Sequence, residues 1–192
     1  MEDQIKLFFV SNQMVERALD FVERGLILQL DRDASQDQDK DEEYYPQFSQ
    51  EIRNDAKRMS VHYEIFYCLE ISIRTLIDEI LKSEFGADWW NTADVPESVR
   101  NNVKANMQRE MDSGFTLRSD DEIDYTDFGE LGEIVRKNWK HFADIFNSEK
   151  AFNRVMSNLN LLRGPIAHCS LLAEDEVMRL KLTLRDWFRL ME

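Results

Sequence analysis

Arg163 and His168 stand five positions apart in Arg163-Gly164-Pro165-Ile166-Ala167-His168, and this pair is the strongest candidate for chemistry in the chain. Arginine is permanently cationic, and its forked donors match the oxygens of a phosphate. Histidine has the one side chain whose ordinary pKa lets it give or take a proton near neutrality. Arginine would hold a phosphate and histidine would move a proton, which together suffice to cut a phosphodiester without a metal. Singly, each has a plainer explanation. Arginine can cap the carbonyls of a helix end, and histidine can be buried against a carbonyl.

Positioning such a pair requires two helices that meet at the motif. The stretch 151–162 is amphipathic, with Phe152, Val155, Met156, Leu159 and Leu162 at helical spacing, and Asn147 or Ser148 is placed to cap it. Pro165 should break this helix. Residues 171–191 read as a final helix carrying Val177, Leu180, Leu184, Trp187, Phe188 and Leu190. Upstream, Phe48 to Phe85 is the strongest helix. Tyr63, Phe66, Tyr67, Ile71, Leu76, Ile77, Ile80 and Leu81 form its broad apolar face, and Gly86 should end it. Asp88-Trp89-Trp90-Asn91 reads as a loop, and Pro96 as the start of a helix reaching Met111. Residues 113–127 are a polar, acidic excursion. Thr126 or Asp127 then caps a helix running through Ile134, Val135, Trp139 and Phe142.

Residues 2–30 read as a first helix on the recurrence of Ile5, Phe8, Phe9, Val15, Leu19, Val22 and Leu26. Residues 31–47 read as a mobile acidic loop. The chain of 192 residues fits a single domain, and its 43% hydrophobic content can bury a core. Few glycines and prolines beside many Leu, Met, Glu and Arg point to an all-α fold. No apolar run reaches the ~18 residues of a membrane span, and Met1-Glu2-Asp3 lacks the basic start of a signal peptide. A soluble cytoplasmic protein without membrane partners is expected. Neither Cys68 nor Cys169 has a CxxC partner, and His62 and His141 have no second ligand at metal spacing, so no metal and no cofactor are expected. Cys169 follows His168 directly. Adjacent helical residues diverge by about 100° and do not form a dyad.

The net charge of −14 opposes nonspecific binding to nucleic acid. Near the motif the balance reverses: Arg136, Lys137, Lys140, Lys150, Arg154 and Arg163 outnumber Asp144 and Glu149. A phosphate site therefore stays open locally.

Three stretches together resemble one family. Leu162-Arg163-Gly164-Pro165-Ile166-Ala167-His168-Cys169-Ser170 is similar to the Arg-x4-6-His signature of the HEPN superfamily. Tyr67 to Ile77 in the long helix, and Asp88-Trp89-Trp90 with Val95-Pro96, resemble the HEPN subgroup found attached to PIN-type endonucleases of transcript surveillance. The likeness covers roughly residues 59–191. It implies an all-α, HEPN-like helical bundle with a helical insertion, a homodimer in which two motifs face each other, and metal-independent RNA cleavage that leaves a cyclic phosphate. It further implies a toxin or phage-defence effector, with an antitoxin or other regulatory protein as a partner. On this resemblance Arg163 binds phosphate, His168 is the acid and base, and Glu70 is the upstream acid that orients the site.

Arg74, one turn after Glu70, and Asn160, one turn before Arg163, are the candidate substrate-binding residues. The plainer alternatives are an i,i+4 salt bridge for Arg74 and a surface position for Asn160. Trp89, Trp90, Trp139 and Trp187 could stack on bases, but their spacing fits a core better. Two departures stand out. Gly164 occupies the position after the arginine, where Asn, Asp or His is common. Ser170 replaces the tyrosine that some HEPN toxins present for modification by a partner enzyme, so a nucleotidyltransferase antitoxin fits poorly. A non-catalytic module for dimerisation or partner binding is the alternative function.

Residues 31–43 hold seven acids against two bases and have no apolar periodicity. Deleting them should leave the melting temperature within a few degrees of the parent. A large fall in thermal denaturation would show that the segment belongs to the fold.

Overall fold

The computed structural model describes residues 47–192, so the helix expected over 2–30 and nearly all of the acidic loop lie outside the described residues. Six α-helices and two single 3₁₀ turns make up the described part. It contains no strand and no helix long and apolar enough to cross a membrane.

Helix α1, Gln50–Phe85, buries Phe66, Leu69, Ile73, Ile77 and Leu81. Their 3-4-4-4 spacing draws one stripe along a 3.6-residue helix. Tyr63, Tyr67 and Ile71, expected on the same apolar face, lie off this stripe and are exposed. Gly86 ends α1 with φ of +82°, a conformation that glycine adopts without steric penalty. The expected loop at Asp88 is instead helical over Trp89–Thr92 (α2). Burial explains the difference. The two indoles pack edge to face at 5.4 Å, and Trp89 Nε1 donates to Asp78 Oδ1 at 2.9 Å, so the turn is locked onto α1.

Helix α3, Glu97–Ser113, starts after Pro96 and ends at Gly114, which takes the left-handed conformation. The polar excursion that follows is anchored by a 3₁₀ turn, Glu122–Tyr125, which buries Ile123 and Tyr125. Asp127 caps α4, Phe128–Lys137, in a reciprocal capping box with Glu130. Helix α4 stops before Trp139. Asn138 is buried there, and its amide donates to the carbonyls of Ile134 and Asp94 and accepts from the Asp94 N–H. Those bonds take the chain out of the helix into a second 3₁₀ turn, Trp139–His141.

Helix α5, Glu149–Ala167, is capped by Ser148 and packs against both α4 and α6, Glu174–Arg189. Beneath them Phe146 contacts Phe152 at 4.9 Å and Trp187 at 5.5 Å between ring centroids. Trp139 joins this aromatic cluster, so all four tryptophans pack within the core or against it.

Pro165 does not break α5, contrary to the sequence expectation. It lies in the last turn, where its missing N–H costs one bond, to the carbonyl of the exposed Leu161, which water can satisfy. The helix ends two residues later, at Ala167, in a Schellman arrangement. The Ser170 N–H donates to Pro165 O at 2.8 Å and the Cys169 N–H to Ile166 O at 3.4 Å. Cys169 takes the left-handed position with φ of +55°, where a glycine is usual. His168 is thereby fixed as the capping residue of α5. Cys169→Gly should raise stability by about 0.5–1 kcal/mol, whereas Cys169→Val should lower it by at least about 1 kcal/mol. Thermal denaturation of the two variants checks the opposite signs.

Candidate functional site

Glu70 and Arg74 lie one turn apart on α1, beside the buried stripe, and Arg163 reaches them from α5. Arg74 Nη2 meets Glu70 Oε1 at 2.5 Å, and Arg163 Nε meets Glu70 Oε2 at 3.1 Å. Each carboxylate oxygen therefore has its own guanidinium. Arg74 Nη2 also donates to Thr126 O at 2.9 Å, which ties the segment before α4 into the cluster. The side chains of Glu70 and Arg74 are only 15% and 14% exposed, and that of Arg163 is 33% exposed. Two cations around one anion leave a net positive charge in a largely dry corner, where electrostatic interactions are stronger than in water.

The two arginines are used differently. Arg74 is enclosed, and its Nε is buried without a hydrogen-bond partner. Arg163 commits only Nε; among the described residues its two terminal nitrogens make no hydrogen bond. Those nitrogens are the pair that can grip two oxygens of a phosphate in parallel.

An open cleft of about 440 Å³ adjoins this cluster. Tyr63, Phe66, Tyr67 and Ile71 of α1 form one wall, and Arg163, Ile166 and Ala167 of α5 form the other. Arg118 and Asp124 also line it. Arg118 is already engaged. It pairs with Glu110, whose carboxyl it holds below the usual carboxylate range, and it lies 4.9 Å from the Tyr125 ring.

His168 does not line this cleft. Five residues along a regular helix is about 140° around the axis, so the residues that share the face of Arg163 are Ile166 and Ala167. His168 is exposed, and its imidazole has no hydrogen-bond partner among the described residues. Asn160 is also exposed and lies over α4, where a Cβ on Gly129 would come within 3.4 Å of its amide nitrogen. The structure therefore brings Glu70, Arg74 and Arg163 together and leaves His168 and Asn160 outside their cleft. Of the other histidines, His141 pairs with Glu84 at 3.0 Å through Nδ1. His62 is pushed below the usual imidazole range by burial and by nearby Lys181.

Tyr63, Tyr67, Arg118 and Asp124 were not singled out from sequence as site residues. A signal for two of them exists. Tyr63, Tyr67, Ile71 and Arg74 recur at 4-4-3 spacing, a second stripe offset from the buried one. Arg118 and Asp124 come from the irregular excursion, where no periodicity marks a facing.

With the fold and this cluster in view, comparison with known proteins places the chain. The described bundle is all-α, as a HEPN domain is. The family model described as HEPN_Swt1, Swt1-like HEPN, matches residues 64–192, about two thirds of the chain, and the protein belongs to that family. No curated protein and no solved structure matched the chain.

Truncating Glu70 leaves two guanidiniums facing each other in a semi-buried corner. Glu70→Ala should cost about 2 kcal/mol, a fall of roughly 4–8 °C in melting temperature for a chain of this size. Adding Arg163→Ala to that variant should cost less than Arg163→Ala does in the parent, because the ion pair is already gone. Additive losses in the double-mutant cycle would show that the pairing contributes nothing.

Proposed function

We propose that the protein is a metal-independent RNA endonuclease that works as a homodimer, an effector of the toxin or phage-defence kind acting on cytoplasmic RNA. The observation that carries this reading is Arg163: held through Nε by Glu70, it keeps both terminal nitrogens open at the edge of a cleft, five residues from an exposed histidine. The ribose 2′-hydroxyl would attack the adjacent phosphorus while one imidazole takes its proton. A second imidazole would protonate the leaving 5′ oxygen. Arg163 would neutralise the charge that builds on the phosphate. The products are a 2′,3′-cyclic phosphate and a 5′-hydroxyl. Two copies of His168 supply the separate base and acid. Because His168 lies outside the cleft of its own chain, the reading requires the dimer to bring both copies of the histidine to one phosphate.

The second reading is a dimerisation or partner-binding module that cuts nothing. It is favoured by the net charge of −14, by Gly164 in place of a polar residue, and by the same displacement of His168 from the cleft.

Purified full-length protein should cut single-stranded RNA in the presence of EDTA, leave all-DNA oligonucleotides intact, and exist as a dimer by light scattering. His168→Ala should lower the rate by about 10²–10⁴-fold with unchanged circular dichroism. Arg163→Lys should recover little, because a point charge does not reproduce the fork. Mixing Arg163→Ala with His168→Ala protein should restore only a small part of the activity, because each mixed dimer keeps one Arg163 and only one of the two imidazoles. Wild-type protein that cuts nothing, or cutting indifferent to His168→Ala, would hand the protein to the second reading.

A further inference from the structure

The cleft beside Arg163 has a feature that phosphate binding does not use. Tyr63 and Tyr67 are 62% and 57% exposed on its α1 wall, their ring centroids 6.3 Å apart and their planes tilted by 36°. Tyrosines with a core role bury their rings, as Tyr125 does here, with its hydroxyl donating to Ser119 O. Neither hydroxyl of the exposed pair has a hydrogen bond among the described residues. Tyr67 precedes Glu70 by three residues, so its side chain starts about 5–6 Å from that of the carboxylate that holds Arg163. Tyr63 lies one turn further along the same face. A phosphate on the free nitrogens of Arg163 would therefore have an aromatic face within one nucleotide's reach, and a second face for the next base.

We infer that Tyr63 and Tyr67 form a base-stacking platform for single-stranded RNA, placing unpaired bases beside the phosphate held by Arg163. Charge complementarity supports this occupant. The open guanidinium edge attracts a polyanion, and the adjoining wall offers flat apolar surface, the combination on which single-stranded nucleic acids bind without sequence readout. Stacking favours purines through their larger ring faces and needs the aromatic ring rather than the hydroxyl. The inference rests on the RNA reading above, but it concerns binding and can fail separately.

The test measures equilibrium binding of the full chain to 2′-O-methyl oligonucleotides, which have no free 2′-hydroxyl and are not consumed. Wild-type protein should bind oligo(A) more tightly than oligo(U). Tyr67→Ala should weaken oligo(A) binding by about 5- to 100-fold, the range of one lost base stack, and should shrink the preference for oligo(A). Tyr67→Phe should keep both, and Tyr67→Leu should keep neither. Tyr63→Ala should act in the same direction. Arg163→Gln should instead lower the salt dependence of binding, which the tyrosine variants leave alone. Oligonucleotide binding indifferent to both tyrosines overturns the platform while leaving cleavage standing. A Tyr67→Ala protein that turns monomeric with unaltered affinity for oligo(A) also overturns it, and assigns the stripe to contact between copies of the chain. Absence of binding to any oligonucleotide removes the platform and the RNA reading together. Base-dependent binding without cleavage of ordinary RNA keeps the platform and removes only the nuclease.

Discussion

A carboxylate withdrawn from water must recover its lost hydration from cations or donors, and Glu70 does so from two arginines at once. This requirement organises the corner where the long helix, the segment before α4 and the motif helix converge. Arg74 carries the link from Glu70 to Thr126 O, and Arg163 carries it to α5. None of these elements could shift by a turn without leaving a charge unpaired. Apolar packing alone is less discriminating, since similar side chains can exchange places in a core. The ion cluster specifies register where the hydrophobic stripes supply most of the cohesion.

The motif helix shows how an apparent interruption becomes part of the architecture. Pro165 would be disruptive in the middle of α5, yet in the last turn it removes a single hydrogen bond, at the carbonyl of the exposed Leu161. Termination falls to Cys169, which takes a left-handed conformation with no glycine to relieve it. Helix packing over-determines that position: Leu162 and Ile166 are buried on one side of the turn and Leu172 on the other. The capping residue between them, His168, inherits a fixed backbone although its side chain points to no partner among the described residues.

Much of this arrangement was legible in the residue order. The all-α class and the span of α1 follow from periodicity, and the caps narrow to Asn147 or Ser148 and to Thr126 or Asp127, of which Ser148 and Asp127 do the capping. The pairing of Glu70 with Arg74 follows from spacing alone. Other features did not, and three of them have a tertiary cause. The turn at Trp89 became helical because two indoles buried themselves against α1, a tertiary effect that local polarity hides. Helix α4 ended at Asn138 because that side chain found a backbone partner, Asp94, 44 residues away. The separation of Tyr63 and Tyr67 from the core required knowing which of two adjacent stripes faces inward, and periodicity gives the angle between stripes without the direction of either.

The geometry of Arg163 has a thermodynamic consequence. With Nε held by Glu70, the plane of the guanidinium is set before any anion arrives. Rotational freedom surrendered during folding is not surrendered again on binding. The grip of this edge on an anion is therefore tied to the local rigidity of α1 against α5. If Arg163 has the proposed role, gentle heating that loosens that corner, well below the temperature at which the helices melt, would be felt first as a weaker hold on phosphate.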